Sequence, residues 1–594
     1  MTTDHATLVG NPSPAAEGRA ATEPAPRPRD TRRGTWLAAA AYLLLAFAVT
    51  SRLWLHLGNS MLKENRQDNV QFEWVLTNAV HTLRHLSDPF YTDLFNAPAG
   101  VNMMANTSIW GLALPLAPIT ALFGAPVSFR VLLTGAFFGT AFAWYHVLSR
   151  HVTASRVAAF VGGGFCAFAP GMLGQGTGHP NVVAQFLLPF IVLVVLRMRE
   201  TGHAVRNGLL LAALVTYQVF INEEILLLAA LALGIFVVAY WVQRPGEINR
   251  CVPSALGSFA LTTVLVSAAL VYPLYRQFFG RQSYHGLPDW VLDYNTDVKS
   301  YVAYAQESLA GTKEGAEHLA QGVSEQNTFY GWGLVALLLV AVIWMWRRPA
   351  VRALAVTGAV FVMLSFGRHL TINHGKTSIP GPWKLLARLP LLDTVVPTRL
   401  SLVVIPVVGL LLALFADKIV ASPPPARMIG AAALAGVLLP IAPTPLTVEG
   451  RHEAPRFFTS GAWRAHVPEG GTVGLLPFGW SSDINMMQWQ TEQGLKFKIL
   501  NGYFLGPDTS RKDRRARFGT GGFFVRFMLG EDREEKVTVT PDQREFCLNE
   551  LRGWQTTALV LPDDAPHADV LRDGADQILG SGEHVEDSWV WRVP

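Results

Sequence analysis

The sequence predicts a mostly α-helical, polytopic membrane bundle of about eleven spans with an extracytoplasmic α/β domain at its C-terminus. Three observations predict it. Only 15% of the 594 residues are charged, where an ordinary soluble chain carries about a quarter. Residues 127–445 contain repeated apolar runs joined by short basic connectors, and the runs approach the ~20 residues that a bilayer core requires. The segment 445–594 returns to soluble-like composition.

Residues 1–34 are rich in Ala, Pro, Thr and Arg and lack apolar periodicity, which reads as a disordered cytoplasmic tail. The first apolar run, Trp36 to Leu57, is too long for a signal-peptide core and has no convincing cleavage site, so it is expected to remain as an anchor. It opens a transmembrane domain over 35–444. The expected spans are 36–57, 127–148, 157–172, 182–197, 206–221, 225–242, 253–275, 329–346, 350–367, 396–416 and 428–444.

One further apolar stretch, Ile109 to Phe123, contains Pro115 and Pro118 and is short for a span. It decides the orientation. If it does not cross, and Arg27, Arg29, Arg32 and Arg33 are cytoplasmic, the basic connectors all fall inside. These are Arg150/Arg156, Arg197/Arg199/Arg206, Arg244/Arg250, Arg347/Arg348/Arg352 and Lys418/Arg427. If it crosses, all five move outside. Ile109–Phe123 is therefore expected to be a re-entrant or interface-lying helix. The outer side then receives the loops 58–126, 276–328 and 368–395 and the domain 445–594. Within that domain Thr472–Phe478, Thr557–Leu561 and Val585–Val593 read as strands and His567–Leu579 as a helix.

The same features exclude several function classes. A net charge of +4, scattered along the chain, does not suggest nucleic acid. Cys166, Cys251 and Cys547 form no staple or zinc pattern. The Gly-rich piece at 519–522 lacks the strand–loop–helix context of a phosphate loop.

Candidate chemistry lies on the elaborated outer side, where binding groups tend to sit. Asp68 precedes an amphipathic helix in the first loop. It reads either as a helix cap or as a general base whose partial desolvation raises its pKa; Glu73 is the second candidate. Asn102 and Asn106 have the chemistry to hydrogen-bond a sugar or simply to satisfy loop backbone. His179 is the only ionisable group in the turn Gly174–Asn181 and reads as a phosphate ligand or as a solvated side chain. Glu223 and Glu224 sit where two apolar runs meet; carboxylates at such depth usually face a cavity, and only one of the two can easily do so. The loop 368–395 is basic although outside, with Arg368, Lys376, Lys384 and Arg388, and Arg399 follows Pro397-Thr398. These cations suit the phosphate of a lipid carrier, with Arg399 nearest the apolar core, or snorkel to headgroups.

Several pieces together resemble the GT-C superfamily of integral membrane glycosyltransferases, and more loosely bacterial YfhO-like membrane proteins. They are the acidic first loop at Asp68, Ala97-Pro-Ala-Gly-Val-Asn, the Pro-containing segment before Phe123-Gly124 and the span entered at Arg130. Gly178-His179, Glu223-Glu224, Pro397-Thr-Arg399 and Leu475-Leu-Pro-Phe-Gly complete the set. The resemblance implies sugar transfer from a polyprenyl-phosphate-linked donor to a cell-envelope glycan, glycolipid or protein at the plasma membrane. Asp68 would be the catalytic base, with Glu73 beside it, and His179, Glu223, Glu224, Lys376 and Arg399 would hold the donor. Many members pair two acidic residues where this chain has Asp68-Asn69, which leaves a divalent cation open as a cofactor and assigns it no ligand. A lipid or solute transporter and a non-catalytic envelope assembly protein are the alternatives. A transporter would place its site at the midplane between inverted repeats, and neither a repeat nor a charge relay is evident.

Overall fold

The computed structural model describes residues 32–56, 58–200, 202–387, 389, 391–479, 484–519 and 524–594. Most of the expected tail (1–31), Arg388 and most of the Gly-rich piece at 519–522 lie outside the described residues. The chain is mostly helical, and each of the eleven apolar runs contains a helix.

Length separates these helices. Among the described residues six are long and apolar enough to cross a bilayer: Arg32–Leu55, Ala125–His151, Pro180–Arg197, Glu223–Gln243, Val252–Phe279 and Pro397–Val420. Arg156–Phe168 and Pro170–Gly176, bent by 41° at their junction, make a seventh if they act as one span. Pro170 forces the bend, because the residue before a proline is pushed out of the helical region, and Ala169 is extended at ψ 152°. Ala204–Val219, Gly331–Trp344, Pro349–Ser365 and Pro424–Leu438 are apolar but shorter. The chain is a membrane protein on this composition.

Trp110–Phe123 is also a short apolar helix. It keeps both prolines, and Gly124 at φ 83° turns it directly into Ala125–His151. A left-handed φ is cheap only for glycine. The helix packs along Arg66–His85 and the Ala125–His151 helix.

Beyond residue 445 the chain folds on a five-stranded sheet. The strand order is Glu583–Val585, Ser588–Arg592, Thr556–Pro562, Thr472–Leu475, Lys498–Ile499. Thr556–Pro562 runs parallel to Thr472–Leu475 and antiparallel to Ser588–Arg592. The closing segment expected as one strand, Val585–Val593, is instead split: Glu586 adopts φ 59° and turns the chain into a hairpin. Helices Pro541–Gly553 and Ala568–Leu579 cover the sheet through Leu548, Leu551, Leu571 and Ile578, which form a separate apolar cluster.

The same region is tied to the first loop. Val448–Gly450 pairs antiparallel with Ser60–Leu62. Trp74 Nε1 donates to Gln490 Oε1 at 2.8 Å, and Arg66 Nη2 donates to Asn485 Oδ1 at 2.7 Å. Phe457, Phe458, Trp463 and Phe497 belong to the core cluster that also contains the membrane helices. The first loop therefore serves as the bed on which the C-terminal segment lies.

Candidate active site

The helix Arg66–His85 begins at Asn65, whose φ of 53° is left-handed, a conformation Asn tolerates better than most residues. Asn65 Nδ2 donates to Thr177 Oγ1 at 2.9 Å, and Asn69 Nδ2 donates to the Thr177 carbonyl at 3.2 Å. These bonds clamp the turn Gly174–Asn181 to the start of the helix. Gly178 lies so close that a Cβ there would stand 2.8 Å from Asn65 Cβ and 3.3 Å from Asp68 Oδ2. Asp68 is thus not the cap; it occupies the first turn, and the cap position belongs to Asn65.

The clamp brings His179 Nε2 to 3.7 Å from Asp68 Oδ2. Tyr503, from the C-terminal segment, brings its hydroxyl close to the Asp68 carboxylate and acts to lower its pKa. Arg399 enters from the start of the Pro397–Val420 span, with Nη1 2.9 Å from Glu224 Oε2 and Nη2 3.5 Å from Glu325 Oε1. Glu325 also accepts from Thr398 Oγ1 and from Asn327 Nδ2. Six side chains from six separate segments therefore converge: Asp68, His179, Glu224, Glu325, Arg399 and Tyr503.

Burial governs their protonation. Asp68 is lifted to about 7, chiefly by desolvation, against the lowering effects of Arg399 and the Tyr503 hydroxyl. Its place in the first helical turn, which favours a carboxylate, does not offset the loss of water. Glu325 is raised by burial, with Arg399 opposing. His179 is pushed well below its ordinary value by burial and by Arg399, so its imidazole is neutral. Among the described residues, three buried atoms of the cluster have no hydrogen-bond partner: His179 Nδ1, Glu224 Oε1 and Arg399 Nε.

A cavity of about 1210 Å³ lies among the helices that carry Glu224 and Arg399. Its lining includes Ile225, adjacent to Glu224, and Leu402 and Val403, a few residues after Arg399. It continues between apolar side chains such as Leu228, Leu233, Val192 and Leu410 to a rim that includes Arg150, Arg156, Arg197 and Arg348. Along the last span its lining runs from Pro406 to Asp417, roughly 16 Å at 1.5 Å per residue.

The other sequence candidates lie elsewhere. Glu73 is not brought to the cluster; its carboxylate pairs with Arg451 in a buried contact. Glu223 accepts from Gln277 Nε2 at 2.9 Å, so of the adjacent pair Glu224 is the one that meets Arg399. Lys376 is exposed and pairs with Asp293 at 3.1 Å. Asn106 bonds the backbone of Leu505, and Asn102 bonds the Arg276 carbonyl, so both serve loop structure. Arg130 holds the carbonyls of Leu53 and Ser60. Glu325 and Tyr503 were not among the candidates. For Glu325 the signal was an acidic residue just before an apolar run, the pattern that marked Glu224; Tyr503 carries no local signal.

A divalent cation does not fit this donor set as a resident group. Among the described residues no three His, Cys, Asp or Glu side chains are arranged to hold a metal ion. The cation facing Glu224 and Glu325 is the guanidinium of Arg399.

The fold is similar to the arabinofuranosyltransferase AftD from Mycobacteria, with a TM-score of 0.54 at 15% identity over 95% of this chain and 40% of that one. The chain thus spans about two fifths of AftD's length, and the likeness is one of fold. The apo oligosaccharyltransferase of Archaeoglobus fulgidus aligns more loosely, with a TM-score of 0.45 at 12% identity over 92% of this chain and 71% of that one. No curated protein sequence matches the chain. The family model described as a domain of unknown function, DUF6311, matches residues 84–395, a stretch that includes His179, Glu224 and Glu325 but not Asp68, Arg399 or Tyr503. That match covers more than half of the sequence, and the chain belongs to the DUF6311 family.

Proposed function

We propose that this protein is a membrane glycosyltransferase that moves a sugar from a polyprenyl-phosphate-linked donor to an acceptor hydroxyl on the outer face of the plasma membrane. The observation that carries the reading is the convergence of Asp68, His179, Glu224, Glu325 and Arg399, two of them on helices that also line a long cavity. A lipid phosphate has those two needs: an anion site at the interface and a slot for its chain.

In this reading the cavity takes the isoprenoid chain and Arg399 meets the phosphate, exchanging its contact with Glu224 for the donor. Protonation of Glu325, which its burial favours, lowers the local negative charge and lets the phosphate in. Asp68 accepts the proton of the acceptor hydroxyl as its oxygen bonds to the anomeric carbon and the bond from that carbon to the phosphate oxygen breaks. A base near 7 suits that task. Arg399 offsets the charge left on the departing phosphate. Neutral His179, 3.7 Å from Asp68, keeps a ring nitrogen for the acceptor or the phosphate. Domain limits of 1–34, 35–444 and 445–594, with the last outside, complete the proposal.

Purified protein incubated with a panel of polyprenyl-phosphate sugars, in chelator and in Mg²⁺ or Mn²⁺, should consume at least one donor. Asp68→Asn should lower that turnover by about 10²–10⁴-fold with expression and folding intact. Full turnover in Asp68→Asn would remove Asp68 as the base.

A further inference from the structure

Tyr503 touches the cluster at Asp68, and Tyr294 touches it at the other end: its carbonyl accepts from the Thr398 amide at 3.1 Å, next to Arg399. Two more rings join these tyrosines. Tyr503 stacks on Phe518 with centroids 5.4 Å apart and planes 18° apart. Phe518 meets Trp290 at 5.6 Å, and Trp290 meets Tyr294 edge-on at 5.7 Å. The four rings form an arc from the carboxylate to the guanidinium.

Trp290 is the open member of the arc. It is 56% exposed, yet Phe518 and Tyr294 hold it on two sides. An exposed aromatic locked by its neighbours offers a large amphipathic contact face at small entropic cost. The negative face of such a ring attracts the polarised C–H groups of a sugar. Exposed tryptophans in membrane proteins also anchor at the headgroup level. Here, however, the adjacent residue Asp289 is engaged by Arg511 and Arg515, a polar flank suited to hydroxyls rather than acyl chains.

We propose that the arc centred on Trp290 is a glycan subsite and that the acceptor is an oligosaccharide, whose end passes Tyr503 to present a hydroxyl to Asp68. The assignment rests on the transfer reading for the direction of the chain, and it narrows the acceptor from any envelope hydroxyl to carbohydrate.

The test reads binding rather than turnover. Full-length protein in detergent is applied to an array of immobilised pyranose and furanose oligosaccharides, and the tightest ligand is then titrated in solution. The wild type should bind at least one of them. Trp290→Ala should weaken that binding tenfold or more, and Trp290→Phe should retain most of it. Trp346→Ala, remote from the arc, should bind as the wild type does. Absence of binding to every oligosaccharide overturns the subsite, as does Trp290→Ala or, if that variant does not fold, Phe518→Leu binding at wild-type strength. Glycan binding that depends on Trp290, together with no transfer from any donor, would defeat the reaction and leave the subsite standing.

Discussion

Asp68 and Glu73 lie five residues apart on one helix, and both are buried, but their surroundings differ in kind. Glu73 closes on Arg451, one acid against one guanidinium, between the first loop and the C-terminal segment. Asp68 has no cation in contact; it faces a neutral imidazole and a tyrosine hydroxyl. Unpartnered atoms alone do not separate the two places, because Arg451 Nε and Arg130 Nη1 near Glu73 also lack protein partners. The separation is in the count of charges. The Asp68 cluster holds three carboxylates against Arg399, an arrangement that costs stability and is retained where chemistry needs it. The Glu73 pair fixes one segment to another.

The largest expected effect breaks the comparison on the structural side. Glu73→Ala leaves Arg451 buried without its acid, and removing one partner of a buried pair costs about 3–5 kcal/mol. Thermal unfolding in detergent should show a large loss, and the surviving folded fraction should keep its full donor turnover. A stable Glu73→Ala protein with abolished turnover would move the base from Asp68 to Glu73.

The difference between the two residues was only half legible in the sequence. Long apolar runs located the helices, since burial in lipid favours apolar side chains on every face of a helix, and the strands Thr472–Leu475 and Thr556–Pro562 showed as shorter apolar or alternating stretches. Asp68, His179, Glu224 and Arg399 stood out because ionisable groups beside apolar runs are costly there. Glu73 stood out for the same reason, and nothing local pointed to Arg451, nearly 380 residues away. Tyr503 and Trp290 were invisible for a related reason. An aromatic residue in a loop becomes a site only through distant partners, here Asp68 and Phe518, and such pairings leave no pattern in one sequence. Helix lengths are the other shortfall: hydropathy marked Gly331–Trp344 as clearly as Glu223–Gln243, although only the second is long enough to span by itself.

A second, smaller effect tests the active side of the comparison through stability. Asp68 is near 7 in the folded protein and near 3.9 unfolded. The folded state therefore holds its proton where the unfolded state has lost it. Wild-type stability relative to Asp68→Asn should be constant below about pH 4, fall as pH rises to about 7, and level off above. At 1.36 kcal/mol per pH unit the full difference is at most about 4 kcal/mol, reduced by any water that enters. Asp68→Asn should thus unfold at a higher temperature than wild type at pH 8. A variant less stable than wild type at that pH would show that the carboxylate serves the fold, as Glu73 does.

The smallest effect concerns Tyr503, whose hydroxyl lies beside the Asp68 carboxylate and holds its pKa down. A donor to the charged form favours that form and holds the pKa down. Tyr503→Phe removes the hydroxyl and leaves the ring against Phe518, so Asp68 should climb above its wild-type value. A base must be ionised to act, so the acidic limb of kcat/KM should move to higher pH. A hydrogen bond to a charged group contributes about 1.5–3 kcal/mol, so a shift of about one to two pH units is expected. Near pH 6 the variant should be at least several-fold slower than wild type, and well above the limb the two should converge. The measurement is a pH profile of transfer for both proteins on one confirmed donor. A uniform loss at every pH would instead make Tyr503 a substrate contact or a packing residue, and an unmoved limb with full activity would detach it from the base. Only a displaced limb with a common plateau assigns the titration to Asp68, which neither Glu73 nor its guanidinium partner can mimic from the far side of the helix.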